Sequence, residues 1–338
     1  MQPRRAALAF GLALLLTLPG LLWWLWRSRV RDGLFQHLPG ENVLLLHLDV
    51  AALRRTAALA PLVQSQVAPD PDYAAFVRET RFDYQRDLDQ AAVCWLPDRV
   101  YILARGRFDL ERLRAYALAQ GGACADRLLE RPCHLPASQP GRRISFWMLS
   151  SGLLALATAP EPDAVLQLQN EPTVNATPLA RSAQAMNSEP GPPLLWLTTA
   201  PSTVGRVLPG VGALFAGSLA NAQRVYLFLN PLEKGVQVAL HATCASDSQA
   251  AETKRLLQGI SDLLGGLARR GPVEWSRVLN SADIRLQGST VRATWLLDSE
   301  TLRLLGPVKG GEPATNSSPD RTGAKPAGSG RSARRDKD

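Results

Sequence analysis

Side chains two apart on a β-strand fall on one face, and His47 and Asp49 have that spacing inside the apolar stretch 43–50. Such a pair has the makings of a general base and the carboxylate that orients it. No nucleophile is tied to the pair by spacing, and a polar strand end accounts for the same two residues. A second cluster, Phe82-Asp83-Tyr84-Gln85-Arg86-Asp87-Leu88-Asp89, sets Asp83, Asp87 and Asp89 within seven residues. Carboxylates this dense can hold a divalent cation or flank a scissile bond. With Arg86 among them and Leu88 free to enter a core, an exposed, salt-bridged helical turn is the plainer expectation.

The four cysteines are Cys94, Cys124, Cys133 and Cys244. Cys124 and Cys133 flank eight residues, short enough to bring two Cα atoms within the 4.4–6.8 Å a disulfide needs. With His134 they would make a zinc set lacking one ligand, so a disulfide is expected in preference to a metal site. Cys94, between Val93 and Trp95, is expected as a buried thiol. His241 shares a strand face with Gln237 and Thr243, opposite Val236, Val238 and Leu240, which predicts the wet side of a half-buried strand. The chain has no G-x-S-x-G elbow, no phosphate-cradling G-x-x-x-x-G-K-[ST] and no H-E-x-x-H. The inventory therefore predicts no cofactor and no metal, and leans against an enzyme.

These residues need elements to hold them. At 46% hydrophobic and 20% charged, the chain of 338 residues can bury a core. The net charge of +8 sits at the two ends: residues 1–31 carry five arginines and no acid, and 306–338 carry seven basic and four acidic side chains. The remaining 32–305 hold 26 of each sign, so a nucleic-acid partner is not expected.

Residues 6–26 are uncharged and apolar over 21 positions, with Trp23, Trp24 and Trp26 clustered at the far end. At about 1.5 Å per residue this run spans a bilayer core, and the tryptophans suit the interface. Bulky Trp and Arg stand where a signal-peptide cleavage site would need small residues, so an uncleaved transmembrane anchor over 1–31 is predicted.

Behind it, element order predicts an α+β fold with antiparallel sheets, built from a duplicated unit of β-hairpins with intervening helices. The first copy covers 32–183 and the second 194–305, joined by a linker at 184–193. A disordered basic tail occupies 306–338. In the first copy a strand at 43–50 leads into helical sequence, then hairpin 91–108, a helix from Asp109 to Gly121-Gly122, hairpin 144–158 and a short helix at 163–169. In the second, strand 194–199 precedes hairpin 225–243, a long helix from Asp247 and hairpin 283–297. Leu256, Ile260, Leu263, Leu264 and Leu267 form one apolar stripe along that helix.

Leu38-Pro39, Leu48-Asp49-Val50 with Ala51-Ala52-Leu53-Arg54, the Phe82–Asp89 cluster and Arg105-Gly106-Arg107-Phe108-Asp109 resemble segments of uncharacterised bacterial single-pass membrane-anchored proteins. In that family a domain of unknown function sits behind an amino-terminal anchor. The resemblance covers roughly 34–160 and transfers no active site. It implies an anchored body in the bacterial inner membrane, placed here on the extracytoplasmic side because long following domains translocate regardless of nearby charge. The expected role is non-catalytic binding or structure, with an envelope protein, lipid or glycan as partner. The alternative is an envelope hydrolase using the Asp83–Asp89 carboxylates or His47 and Asp49.

Overall fold

The computed structural model describes residues 33–59, 71–124, 132–137, 140–170, 172–203, 216–268, 282–300 and 302. The expected anchor at 1–31 and tail at 306–338 lie outside them. No helix among the described residues is long and apolar enough to cross a membrane.

Leu44–Asp49 forms strand β1, and Asp49 ends it by turning its side chain to the next helix. Its Oδ1 accepts a hydrogen bond from the Ala52 N–H at 2.8 Å, capping α1 (Val50–Arg55). Helix α2 (Pro71–Thr80) and the single turn α3 (Tyr84–Asp87) lead into the hairpin β2 (Leu88–Trp95) and β3 (Val100–Gly106). Asp109 caps α4 (Leu110–Ala119) through the Arg112 N–H, Phe108 and Leu113 share one cluster, and Gly121 at φ 76° closes the helix. Two short strands follow, β4 (Ala123–Cys124) and β5 (Cys133–Pro136). The hairpin β6 (Arg143–Ser150) and β7 (Leu153–Ala159) then leads to a 3-10 helix, Ala164–Leu168.

Helix α5 (Thr177–Met186) and β8 (Leu195–Thr199) come next. The remaining elements are the hairpin β9 (Ala222–Leu232) and β10 (Gly235–Cys244), the long α6 (Asp247–Ala268), and the hairpin β11 (Asp283–Gln287) and β12 (Thr290–Asp298). The fold is α+β.

All twelve strands among the described residues join one sheet, in the order β11-β12-β10-β9-β8-β1-β2-β3-β7-β6-β5-β4. Every neighbouring pair is antiparallel. The seam is β1 against β8, which sets His47 opposite Trp196 and Leu46 opposite Leu197. On one face α4 packs over Ala104, Phe146 and Leu154, and α6 over Leu240, Ala242 and Val291. On the other face the segment 34–38, the 3-10 helix and α5 bury Leu45, Ala92, Leu103, Ala155 and Phe228. That second cover is tied down by backbone bonds from Gly40 N to Val174 O and from Ala176 N to Leu38 O. A Cβ on Gly40 would collide with the Asn175 carbonyl oxygen, so this approach needs glycine.

Three features differ from the sequence expectation. Residues 184–186 of the expected linker are the last turn of α5, and Glu189 in the connection after them bonds to Gln237 and Arg292 of the sheet. Among the described side chains of α6 the buried ones are Leu257 and the small Ala250, Thr253 and Ser261, which let the helix lie close, while Leu256 and Leu263 of the apolar stripe are exposed. His241 is 4% exposed, because that face is covered.

Cys124 and Cys133 face each other across β4 and β5 and are joined by a disulfide, their Cα atoms 4.1 Å apart. Cys94 and Cys244 are buried and free. Alkylating denatured chain without reductant should label two thiols, and four after reduction, as read by intact mass. Replacing both Cys124 and Cys133 with Ser should lower stability by about 2–3 kcal/mol in a urea titration, from the freedom regained by a ten-residue loop.

Candidate functional site

The site begins at the carboxyl end of β1. Period-two alternation puts His47 and Asp49 on the face carrying the α5 cover, and Leu44, Leu46 and Leu48 on the other. Across the ladders Trp196 stands opposite His47, and Gln90 opposite Asp49. The His47 ring stacks on Trp196 with centroids 5.6 Å apart, and Phe35 packs against both rings at 5.6 and 5.3 Å. This aromatic cluster is where the continuous apolar cover stops.

Beyond it lies a cavity of about 360 Å³. Its floor is His47, Asp49, Gln90 and Trp196, and its roof is the end of α5 and the connection to β8: Gln184, Asn187, Glu189, Gly191, Pro192 and Pro193. The roof is shaped locally. Asn187 caps α5 through its backbone N–H, and its side-chain amide donates to the Gly191 carbonyl at 3.3 Å. Gly191, at φ 96°, takes a conformation that other residues rarely adopt.

Glu189 anchors the roof to the far half of the sheet. Its Oε1 accepts from Arg292 Nη2 at 2.6 Å and from Gln237 Nε2 at 3.2 Å, and Gln237 Oε1 accepts in turn from Asn230. Gln237 and Arg292 also line a second cavity of about 310 Å³, with Asp283, Arg285, Thr294 and Leu296. Glu189 thus bonds, from the first cavity, to two residues that line the second.

His241 lies in the register row between Tyr226 and Arg292. Its ring meets Phe228 edge-on at 5.3 Å and hydrogen-bonds the Met186 backbone. Burial, reinforced by the Arg292 charge and opposed by Glu189 and the Met186 bond, pushes its pKa down to about 4.

The sequence candidates therefore separate. His47 and Asp49 come together in the cavity, although the Asp49 Oδ1 is engaged in capping α1. Asp83, Asp87 and Asp89 are not among the residues lining it. Asp83 caps α3 and accepts from the Tyr73 hydroxyl at 3.0 Å. Asp87 accepts from Arg86, Arg107 and the Asp83 N–H, and the Arg86 hydrogen bond first of all holds its pKa down at about 2. Asp89 pairs with Arg54 at 3.0 Å. Each of these carboxylates stabilises a turn or ties a helix to the sheet. Cys94 is a fully buried thiol whose pKa burial pushes up to about 12, so it is no nucleophile. No group of three or more His, Cys, Asp or Glu side chains among the described residues is placed to hold a metal ion.

Gln90, Gln184, Asn187 and Glu189 escape a search for catalytic motifs. The available signals were period two, which carries Gln90 opposite Asp49, and Pro178, which suits the first turn of a helix ending near Asn187.

No family model and no curated protein matches this chain. Among solved structures, crystal form III of TP0453 aligns with 80% of the chain and 96% of its own length, at 10% identity and a TM-score of 0.46. Crystal form IV of the same protein aligns with 80% and 95%, at 11% identity and a TM-score of 0.43. Agreement this loose carries neither structural detail nor function.

The pKa of His241 has a consequence for stability. Its value in the fold lies below the ordinary 6.5, so the unfolded chain takes up the proton first. The stabilisation from keeping it neutral is complete above about pH 6.5 and is lost as pH falls toward 4, a loss of about 3 kcal/mol. In urea titrations across that window His241→Leu should flatten the decline. Loss from Asp87 belongs to a lower window, between its ordinary 3.8 and about 2, and should persist in that variant.

Proposed function

We propose that this chain is an extracytoplasmic binding protein of the bacterial inner membrane, held by residues 6–26 and acting through the cavity beneath the 187–193 connection. The observation that carries the reading is the make-up of that cavity. Amide and carboxylate side chains surround an aromatic cluster at the place where the hydrophobic cover of the sheet ends. Among the described residues, the amides of Gln90 and Gln184 have no side-chain hydrogen bond, so the fold does not use them. The Asp83–Asp89 carboxylates are occupied in holding turns and helices, which leaves the hydrolase alternative without a free acid–base pair there.

Two finer features belong to the same proposal. The body is a duplicated unit, supported by the strand order on either side of the seam: β1-β2-β3-β7-β6 one way and β8-β9-β10-β12-β11 the other. A helix follows the first hairpin in each direction, which puts α4 and α6 in corresponding places. The anchor is supported by the uncharged apolar run and its terminal tryptophans. The Cys124–Cys133 disulfide suits an oxidising compartment, which favours the body outside the cytoplasm.

Photocrosslinking in living cells tests the binding role. A photoreactive residue at 184, on the cavity rim, should give an adduct that the same residue at the exposed position 118 on α4 does not. No adduct from 184 beyond that from 118 would count against binding at this site. A null phenotype for His47→Ala, with fold and adduct unchanged, would indicate chemistry in the cavity instead of binding. A carboxyl-terminal alkaline phosphatase fusion should be active if the body is outside; inactive fusion together with an active cytoplasmic reporter would reverse the orientation.

A further inference from the structure

The chemistry of the cavity wall narrows the ligand further, on the premise that the cavity is a binding site. We infer that it takes a neutral, polyhydroxylated ligand: one or two sugar rings of a glycan.

The charges in the wall argue against the alternatives. Asp49 and Glu189 face the cavity and no Lys or Arg is among its lining residues, so an anion meets repulsion without a counter-charge. An organic cation fares little better. Glu189 is already matched by Arg292 at 2.6 Å, and one oxygen of Asp49 is taken by the Ala52 N–H. An acyl chain would cover Gln90 and Gln184 with nothing to hydrogen-bond, leaving buried amides unsatisfied.

A sugar avoids each of these conflicts. A hydroxyl both donates and accepts, and so does a side-chain amide, so Gln90 and Gln184 can bond hydroxyls whichever way they rotate. The remaining oxygen of Asp49 accepts from a hydroxyl without needing a charge partner. Of the aromatic cluster at the cavity, Trp196 and Phe35 are nearly buried, at 2% and 3% exposure, and the half-buried His47 stacked on Trp196 offers ring surface against which the C–H face of a pyranose can pack. The volume of about 360 Å³ lies in the lower part of the range for small-molecule sites, which suits a short saccharide.

The contact with the roof also points this way. Glu189 bonds to Gln237 and Arg292 at the edge of the second cavity, whose wall adds Thr294. A chain of sugars could run across the sheet from one cavity toward the other with hydroxyl-compatible groups in both.

The test uses full-length protein in a detergent without sugar, such as lauryldimethylamine oxide. Glucose, maltose, N-acetylglucosamine and N,N′-diacetylchitobiose are titrated by calorimetry and by saturation-transfer NMR, with decanoate and choline as the anionic acyl and cationic comparisons. At least one saccharide should bind, and Gln90→Ala and Gln184→Ala, neither of which removes a hydrogen bond of the fold, should each weaken it tenfold or more. Leu118→Ala should leave the affinity unchanged. Binding of decanoate or choline at the Gln90-sensitive site, with no saccharide bound, would overturn the ligand class and leave the site standing. Saccharide binding indifferent to both glutamine variants would overturn the assignment to this cavity. If no saccharide binds to a protein with unaltered thermal melting, the sugar inference is overturned. The in-cell adduct from position 184 then reports separately whether the cavity binds at all.

Discussion

The pairing of β1 with β8 is the constraint on which the rest of the structure depends. Each strand opens one half of the chain, and each has its other edge filled by the hairpin that follows it, β2 beside β1 and β9 beside β8. Left apart, the two halves would each expose a flat apolar edge, the condition that invites aggregation. Joined, they form one sheet of twelve strands with both faces covered near its middle. The same ladder fixes the cavity floor, because a slip of one residue would turn His47 and Asp49 to the opposite face. Leu44, Leu46 and Leu48 would then meet the polar roof. The hydrophobic pattern of β1 therefore determines both the fold and the orientation of the candidate site.

The cover on the cavity side is made from different material. Helix α5 packs through Ala176, Ala180 and Ala183, and its Ser182 hydroxyl hydrogen-bonds Tyr226 at 2.7 Å. Alanines let the helix lie close to the sheet but give it little apolar area for its own stability. Fixing it depends on what stands at either end: the backbone bonds to Leu38 and Gly40 before it, and the Glu189 bonds to Gln237 and Arg292 after it. The roof of the cavity is thus tied to the segment before β1 at one end and to β10 and β12 at the other.

This division explains what could be read from the sequence. Strands and hairpins were legible because β-branched and aliphatic residues alternate over five or more positions, and the caps at Asp49 and Asp109 stood at the starts of helices. His47 and Asp49 were found because period two is local. Helix α5 was not legible: Leu179 and Met186 stand among core-facing alanines, a stripe too weakly apolar to mark the helix, and Pro178 was its main signal. In α6 the opposite happened, since the leucines that catch the eye include exposed ones, while Thr253 and Ser261 are buried. His241 was expected to be wet because its neighbours Gln237 and Thr243 are polar. It is dry because the end of α5 and the connection after it cover that row, a tertiary fact that no local pattern contains.

A polar cavity at this place is not required by the sheet. Further along, the same face is filled by Leu45, Ala92 and Leu103, all fully buried in the cluster that includes the 34–38 segment. The chain could have continued that packing over Asp49 and Gln90 by placing apolar residues there and on the roof. Instead it sets Gln90, Gln184 and Asn187 around an opening and closes it with a Pro- and Gly-containing connection pinned by an ion pair. Asp49 shows how the two demands coexist. One oxygen caps α1 and keeps the helix in register with the strand, and the other remains for the cavity. Hydrophobic burial holds the body together up to the His47–Trp196 stack, and beyond it the side chains are those that would meet a ligand in place of a core.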